Sequence, residues 1–248
     1  MNTGIGDAVN LSWKLAGVLQ GRVHERVLET YESERIGFAR RLVATTDRVF
    51  TIATGSGALA AQARLTLAPR LLPALTAAAA VRRLMFKTVS QTGIDYRKSP
   101  LSRGGAGRVM GGDRLPWAGA GSGPAGGDNF TPLASLDWQV HVYGEASQAV
   151  RDVCTARALA LREFLWRDEF WRVGLMQDAL YLVRPDGHVA LADPNGRPAA
   201  LERFLDAWAI EPRPNPPARA TRKPAAKRPP RARKLSQAGA AAITGPSK

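Results

Sequence analysis

Cysteine is almost absent: the 248-residue chain has one, Cys154. A single cysteine can form neither an intrachain disulfide nor a C-x-x-C redox or zinc motif. It falls within the apolar pattern of a helix, where a thiol behaves as a small buried hydrophobe. Histidine is scarce as well. His24, His141 and His188 are far apart in sequence, so no local metal-ligand cluster exists and no metal residue is assigned. Long apolar runs are missing too. Leu71 to Val81 is Ala-rich, bounded by Arg70 and Arg82, and far short of the ~20 residues that span a bilayer. The first residues lack a basic stretch followed by an apolar one, so no signal peptide is read. The expectation is a cytoplasmic chain that neither spans nor enters a membrane.

Acidic residues are in deficit: 35 Lys+Arg against 21 Asp+Glu give +14. Such a charge suggests a nucleic-acid-binding protein until it is located. Residues 211–248 hold ten basic residues and one acid, Glu211, a charge of +9, which leaves +5 on the other 210 residues. The tail is rich in Pro and Ala and has no aromatic residue. It cannot bury enough apolar surface to offset chain entropy and is expected to be disordered. It could bind a polyanion non-specifically, or simply be solvated.

What is present is helical first. Residues 1–7 lead into a helix in which Ala8, Val9, Leu11, Trp13, Leu15, Ala16, Val18 and Leu19 occupy most of the circumference. Asp7, Asn10 and Lys14 form one narrow polar stripe. A helix this apolar is expected inside a larger body. Gly21 is a stop signal. A second helix is read over Glu25 to Phe50, its face set by Leu28, Tyr31, Phe38, Leu42 and Val49. After a break at Thr54–Gly57, helices are read at Ala58–Leu67 and Leu71–Val89. Residues 93–137 are dense in Gly and Pro and read as loops, including Gly104–Gly107 and Gly119–Gly127. Thereafter the reading is strand Trp138–Tyr143, helix Val150–Leu165, hairpin strands Ala179–Val183 and Val189–Ala192 about an Asp186-Gly187 turn, and helix Ala199–Trp208. That order, β-α-β-β-α, is that of a small α/β unit.

Most chemical motifs fail on context. G-x-G-x-x-G occurs at Gly121, Gly123 and Gly126, but Pro124 interrupts it and no helix follows, so it reads as a loop. Ser99 and Ser102 have no visible base. His188 reads as a surface residue of a hairpin turn. Trp166, Phe170 and Trp171 flank Arg167 and Arg172. They read as a core edge with arginines reaching to solvent, with base stacking as the alternative.

One motif is specific. Residues 1–15, MNTGIGDAVNLSWKL, resemble the second flavin-binding segment of the FAD-dependent aromatic-ring hydroxylases, G-M-N-x-G-x-x-D-A-x-N-L-x-W-K-L. Tyr31–Arg35, Arg40-Arg41-Leu42 and Thr45-Thr46-Asp47 resemble the helix that follows. Tyr96, Ser99-Pro100-Leu101 and Gly112–Pro116 resemble the link to the family's C-terminal domain, and Leu182–Ala190 resembles a hairpin of that thioredoxin-like domain. The resemblance covers about residues 1–209. It implies FAD as cofactor, NAD(P)H as co-substrate, a small phenol-like aromatic substrate, and reduction of the flavin followed by oxygen capture and ring hydroxylation. It implies that Met1, Asn2 and Thr3 touch the flavin ring edge, that Gly4 permits its approach, and that Asp7 opens the helix. Asn2 and Thr3 would serve equally as helix caps. No catalytic residue is assigned.

The family's Rossmann-type portion has no counterpart here. The expectation is an α/β (α+β) chain resembling the C-terminal portion of a hydroxylase. Residues 1–92 would be the helical end of the FAD-binding monooxygenase domain, 93–137 a linker, 138–210 the thioredoxin-like domain and 211–248 the tail. Such a chain is expected to be inactive alone. A homodimer through the thioredoxin-like domain is a further implication. The alternative is a non-catalytic interaction module whose polycationic tail binds a protein partner or nucleic acid.

Overall fold

The computed structural model describes residues 2–54, 65, 77, 79, 82, 93–119 and 128–211. The helices read at Ala58–Leu67 and Leu71–Val89, the glycines of the G-x-G-x-x-G match and nearly all of the basic tail lie outside the described residues. Met1–Asn215 forms one compact unit.

Helix α1 spans Asn2–Leu19. It ends as expected, with Gly21 in the left-handed region (φ +63°) and its N–H donating to the Val18 carbonyl. A short 3-10 turn, Glu25–Glu29, is capped by the His24 ring, which accepts from Arg26 N–H. It leads into α2, Thr30–Thr54. The single helix read from Glu25 is therefore a 3-10 turn followed by an α-helix.

Six strands form one mixed sheet in the order β2-β1-β6-β5-β3-β4. They are β1 Arg103–Ala106, β2 Val109–Met110, β3 Gln139–Tyr143, β4 Ala160–Phe164, β5 Leu180–Val183 and β6 Val189–Asp193. Strands β3/β4 and β1/β6 pair parallel, the other neighbours antiparallel. The period of two sorts side chains between two cores. Val140, Val142, Leu180 and Leu182 meet Val150 and Cys154 of α3 (Gln148–Ala156) and Leu201, Phe204 and Leu205 of α5 (Pro198–Trp208). On the other face Tyr143, Tyr181, Val183 and Val189 pack with Phe164, Phe170 and Leu175. Phe170 comes from α4, Asp168–Val173. Its ring is buried while Trp171 is exposed, so this aromatic cluster is largely a core edge. Cys154 is buried, as expected.

Two readings of the sequence are corrected. Val150–Leu165 is not one helix: α3 stops at Ala156, Ala158 takes φ +51°, and β4 follows. Left-handed Ala158 turns the chain back onto the sheet. The half-buried edge strand shows no clean alternation, so its period was hidden. The order from β3 onward is accordingly β-α-β-α-β-β-α. Likewise Gly104–Ala106 is strand, not loop. Gly104 takes φ +69°, and a Cβ there would stand 2.2 Å from the Ala192 carbonyl oxygen. Glycine is what lets β1 close on β6.

Gly104→Ala should therefore part β1 from β6. Left-handed strain and the backbone clash together are expected to cost about 2 kcal/mol or more, read as a lower denaturant midpoint. An unchanged midpoint would show that the close approach is dispensable.

Candidate functional site

Helix α1 is turned over relative to expectation. Two residues of its polar stripe are buried, Asn10 at 1% and Lys14 at 0% exposed, while Asp7 is partly exposed. Its apolar residues Ile5, Val9, Leu15 and Leu19 are exposed. A groove of about 530 Å³ runs along this side, with Val9, Trp13, Ala16, Val23 and Trp138 among its walls.

The reason lies in α2. The Glu34 carboxylate is fully buried and accepts five hydrogen bonds. Asn10 Nδ2 donates at 2.6 Å, Lys14 Nζ at 2.8 Å, Ser99 Oγ at 2.7 Å, and Arg184 Nη1 and Nη2 at 2.7 and 3.0 Å. The Arg184 guanidinium bonds Asp186 on its other edge, Nε to Oδ1 at 3.0 Å and Nη2 to Oδ2 at 2.5 Å. It lies between the rings of Trp13 and Tyr96, 5.0 and 5.3 Å from their centroids. Trp13 Nε1 donates to Asp186 at 3.0 Å. Two cations, Lys14 and Arg184, thus face two anions, Glu34 and Asp186, in a dry, neutral cluster. Bidentate arginine pairing and aromatic stacking are what make such burial tolerable.

The electrostatics follow the geometry. Burial pushes Glu34 upward, but Arg184, with Lys14 and Asn10, outweighs it and holds the carboxyl down to about 2. Burial likewise pushes Asp186 upward, but Arg184, with His188, outweighs it and holds the carboxyl well below the usual carboxylate range. For Lys14 burial wins over Glu34 and pushes the ammonium down to about 8.

A second pair orients the start of α1. Arg35 Nε donates to Asp7 Oδ1 at 2.6 Å, its Nη1 to the Tyr96 hydroxyl at 3.1 Å and its Nη2 to the Thr3 carbonyl at 3.4 Å. Gly6 makes room for that guanidinium, because a Cβ there would stand 3.1 Å from Nη2.

Of the expected cofactor residues, Met1 lies outside the described residues and Asn2 is the first residue of α1. Thr3 is half-buried. Gly4 is exposed, with nothing within 4 Å of a Cβ built there. Asp7 does not open the helix; it lies in the second turn, bound to Arg35. The first turn of α1 carries no acidic residue. The partial positive charge at this end therefore has no carboxylate of its own in the first turn. A flavin ring edge that gathers negative charge on reduction fits this end of the helix.

Other expectations change as well. Ser99 and Ser102 are buried, and their hydroxyls donate to Glu34 and to the Tyr96 carbonyl. His188 is buried, not a surface residue, because the turn folds over Tyr96 with ring centroids 4.3 Å apart. Glu34, Arg184 and Asp186 had signalled only family likeness; no local spacing joins residues so far apart. Among the described residues no group of three or more His, Cys, Asp or Glu could hold a metal, and no helix is long and apolar enough to cross a membrane.

Comparison with known proteins points to flavoproteins. Residues 1–46 match the FAD binding domain family. The chain is 38% identical over 112 residues to 6-methylpretetramide 4-monooxygenase of Streptomyces rimosus, a match covering 42% of this chain and 19% of that protein. It is 28% identical over 204 residues to a flavin-dependent monooxygenase of Mycobacteroides abscessus, covering 79% and 34%. The crystal structure of CabE, an aromatic hydroxylase from angucycline biosynthesis, superposes with a TM-score of 0.61 at 27% identity, covering 86% of this chain and 41% of that one. The chain spans well under half the length of these relatives. These similarities are to FAD-dependent aromatic hydroxylases and flavin-dependent monooxygenases, and they support FAD as the cofactor.

Glu34→Gln should strip two buried cations of their counter-charge and destabilise the unit by about 3–5 kcal/mol. Stability should also fall as pH drops from the ordinary carboxyl range near 4.5 toward 2, where Glu34 takes up its proton. Lys14 acts in the other direction. The unfolded chain keeps that proton up to about pH 10.5, whereas the folded chain releases it near 8. Stability should therefore rise across that interval, and Lys14→Met should abolish the rise. Chemical denaturation at a series of pH values reads both effects.

Proposed function

We propose that this chain supplies the flavin-edge helix and the C-terminal, thioredoxin-like domain of an FAD- and NAD(P)H-dependent aromatic monooxygenase. One observation carries the reading: α1 buries Asn10 and Lys14 and leaves Ile5, Val9, Leu15 and Leu19 exposed. Exposed apolar patches rimmed by polar groups mark interaction surfaces. The occupant of this face is the FAD-binding body that contributes the rest of the flavin site.

When bound, FAD supplies the redox chemistry, taking electrons from the nicotinamide and activating oxygen for insertion into a phenol-like ring. The chain's own part is placement and electrostatics. The first-turn amides of α1, with Asn2 and Thr3, face the pyrimidine edge and favour negative charge there. Gly4 admits the ring. Asp7 reaches the flavin only indirectly, by fixing Arg35 and so the pitch of the first two turns. Arg184 and Glu34 hold the helix against the sheet, so that its N-terminus is rigid.

FAD fluorescence tests the reading. The 248-residue chain alone should bind FAD weakly and not oxidise NADPH. Mixed with a separately produced FAD-binding half of a full-length relative, it should gain affinity. In that mixture Gly4→Ala should weaken FAD by about tenfold, a loss near 1.4 kcal/mol. The same change should leave the chain's own melting temperature unchanged or higher, since alanine favours a helix by ~1 kcal/mol and meets nothing here. Stoichiometric FAD and NADPH oxidation by the chain alone would overturn the shared site.

The tail's +9 favours a second activity beside this one, non-specific polyanion binding. Affinity for duplex DNA should fall steeply with salt and disappear when residues 211–248 are removed. Equal binding without the tail would exclude it.

A further inference from the structure

A groove to which α1 contributes no residue opens between the 3-10 turn Glu25–Glu29, the start of α2, the beginning of β1 and one face of α5. Its volume is about 910 Å³, at the upper end of the range for small-molecule sites. Pro100 and Ala207 give it exposed apolar wall, and the edges of Phe204 and Trp208, 5% and 9% exposed, close its floor. The α5 face that lines it runs from Ala200 to Trp208, a length of about 12 Å at the helical rise.

Three arginines stand around this floor: Arg26 from the 3-10 turn, Arg103 from β1 and Arg203 from α5. All three are exposed. Elsewhere Arg22, Arg97, Arg151, Arg157 and Arg197 each pair with a carboxylate. None of the groove arginines has an ion pair among the described residues, although Glu29 lines the same groove. The Arg26 guanidinium is stacked over the Trp208 ring, 4.6 Å from its centroid. Stacking fixes the plane of a guanidinium and leaves its N–H edges available. Arg203 spends only Nε, on the Ala199 carbonyl at 3.1 Å. Three cations against one anion leave a surplus of two positive charges.

The surplus and the length decide the occupant. The chain's own tail carries +9 and is repelled by an arginine rim. An extended hexapeptide needs about 20 Å, more than the groove offers. What fits is a compact molecule with an apolar body and two negative charges. A phosphate monoester carries about two negative charges at neutral pH, and arginine forks pair with phosphate oxygens two at a time.

We propose that this groove binds a phosphate monoester of a flat apolar ring. The phosphate pairs with the arginine rim, and the ring lies along Pro100 and Ala207 over the edge of Phe204. Neither flavin nor any residue of α1 takes part, so the site stands or falls separately from the proposed redox role.

The test is titration of the 248-residue chain, labelled with nitrogen-15 in tryptophan, with 1-naphthyl phosphate, adenosine 5′-monophosphate, 1-naphthol and inorganic phosphate. The Trp208 indole resonance, assigned by its loss in Trp208→Phe, reports the groove. The expected result is a saturable shift with one or both of the first two. Response to 1-naphthyl phosphate alone assigns an aryl phosphate, response to the nucleotide alone a nucleotide, and response to both any flat ring. 1-Naphthol lacks the charge and inorganic phosphate lacks the ring, so each should bind about tenfold or more weakly. Arg103→Gln and Arg203→Gln should each weaken binding about fivefold without lowering the melting temperature, because neither guanidinium holds an ion pair. Arg172→Gln, on α4 and outside the groove, should change nothing. Absence of a Trp208 shift, equal binding of either fragment, or a loss no greater for Arg103→Gln than for Arg172→Gln would each overturn the proposal.

Discussion

The structure depends on the buried ion pair between Glu34 and Arg184. One partner belongs to a helix near the N-terminus, the other to the end of strand β5. Their 2.7 and 3.0 Å contacts join helices to sheet where no hydrophobic seam alone would fix the angle. Burying a charge pair is expensive, and apolar substitutes can be as stable. This pair is nonetheless saturated: Lys14 and Asp186 complete the charge balance, Asn10 and Ser99 fill the remaining acceptor sites, and Trp13 and Tyr96 cover the guanidinium. A pair with so many directional partners tolerates one arrangement only. It sets the rotation of α1 about its own axis.

That rotation explains a contradiction in the sequence. Judged by composition, α1 is apolar and belongs in an interior. Judged by the cluster, its narrow polar stripe must point inward, because Glu34 draws Asn10 and Lys14 to itself. Ile5, Val9, Leu15 and Leu19 are then left outward. Both statements hold if the helix lies between two bodies, with this chain's sheet on the polar side and an apolar surface on the other. The exposed hydrophobic residues form the face that the proposed FAD-binding body would cover, and the buried polar ones answer to this chain's own cluster.

Much of the fold was legible where period and turn chemistry agree. Gly21, the Asp186-Gly187 hairpin and the α5 helix stand close to where sequence put them, and Cys154 is buried as its pattern required. What was hidden has identifiable causes. β4 is an edge strand whose half-buried faces carry no alternation. β1 carries two glycines, Gly104 close against Ala192 and Gly105 close against Met110, so it has the composition of a loop. The motif Met1–Leu15 signalled the likeness to the FAD binding domain family that residues 1–46 match, but Glu34, Arg35, Arg184 and Asp186 acquire roles only in three dimensions. Separations of 150 residues leave no local signature, and His188 became a buried residue only because Tyr96 covers its turn.

Asn10 shows how the two halves of the site are coupled. One end of its amide is spent on Glu34, and the other is buried without a hydrogen-bond partner. Asp186 likewise serves Arg184 on one side and stands against His188 on the other. Arg35 closes the circuit, tying Asp7 and the Thr3 carbonyl to Tyr96, the ring that stacks on His188. Any displacement of the hairpin turn must therefore be taken up either by breaking a buried charged bond, which costs several kcal/mol, or by moving α1 as a rigid rod. The second is cheaper. The position of the helix N-terminus, where the flavin edge is proposed to lie, is thus mechanically linked to the hairpin.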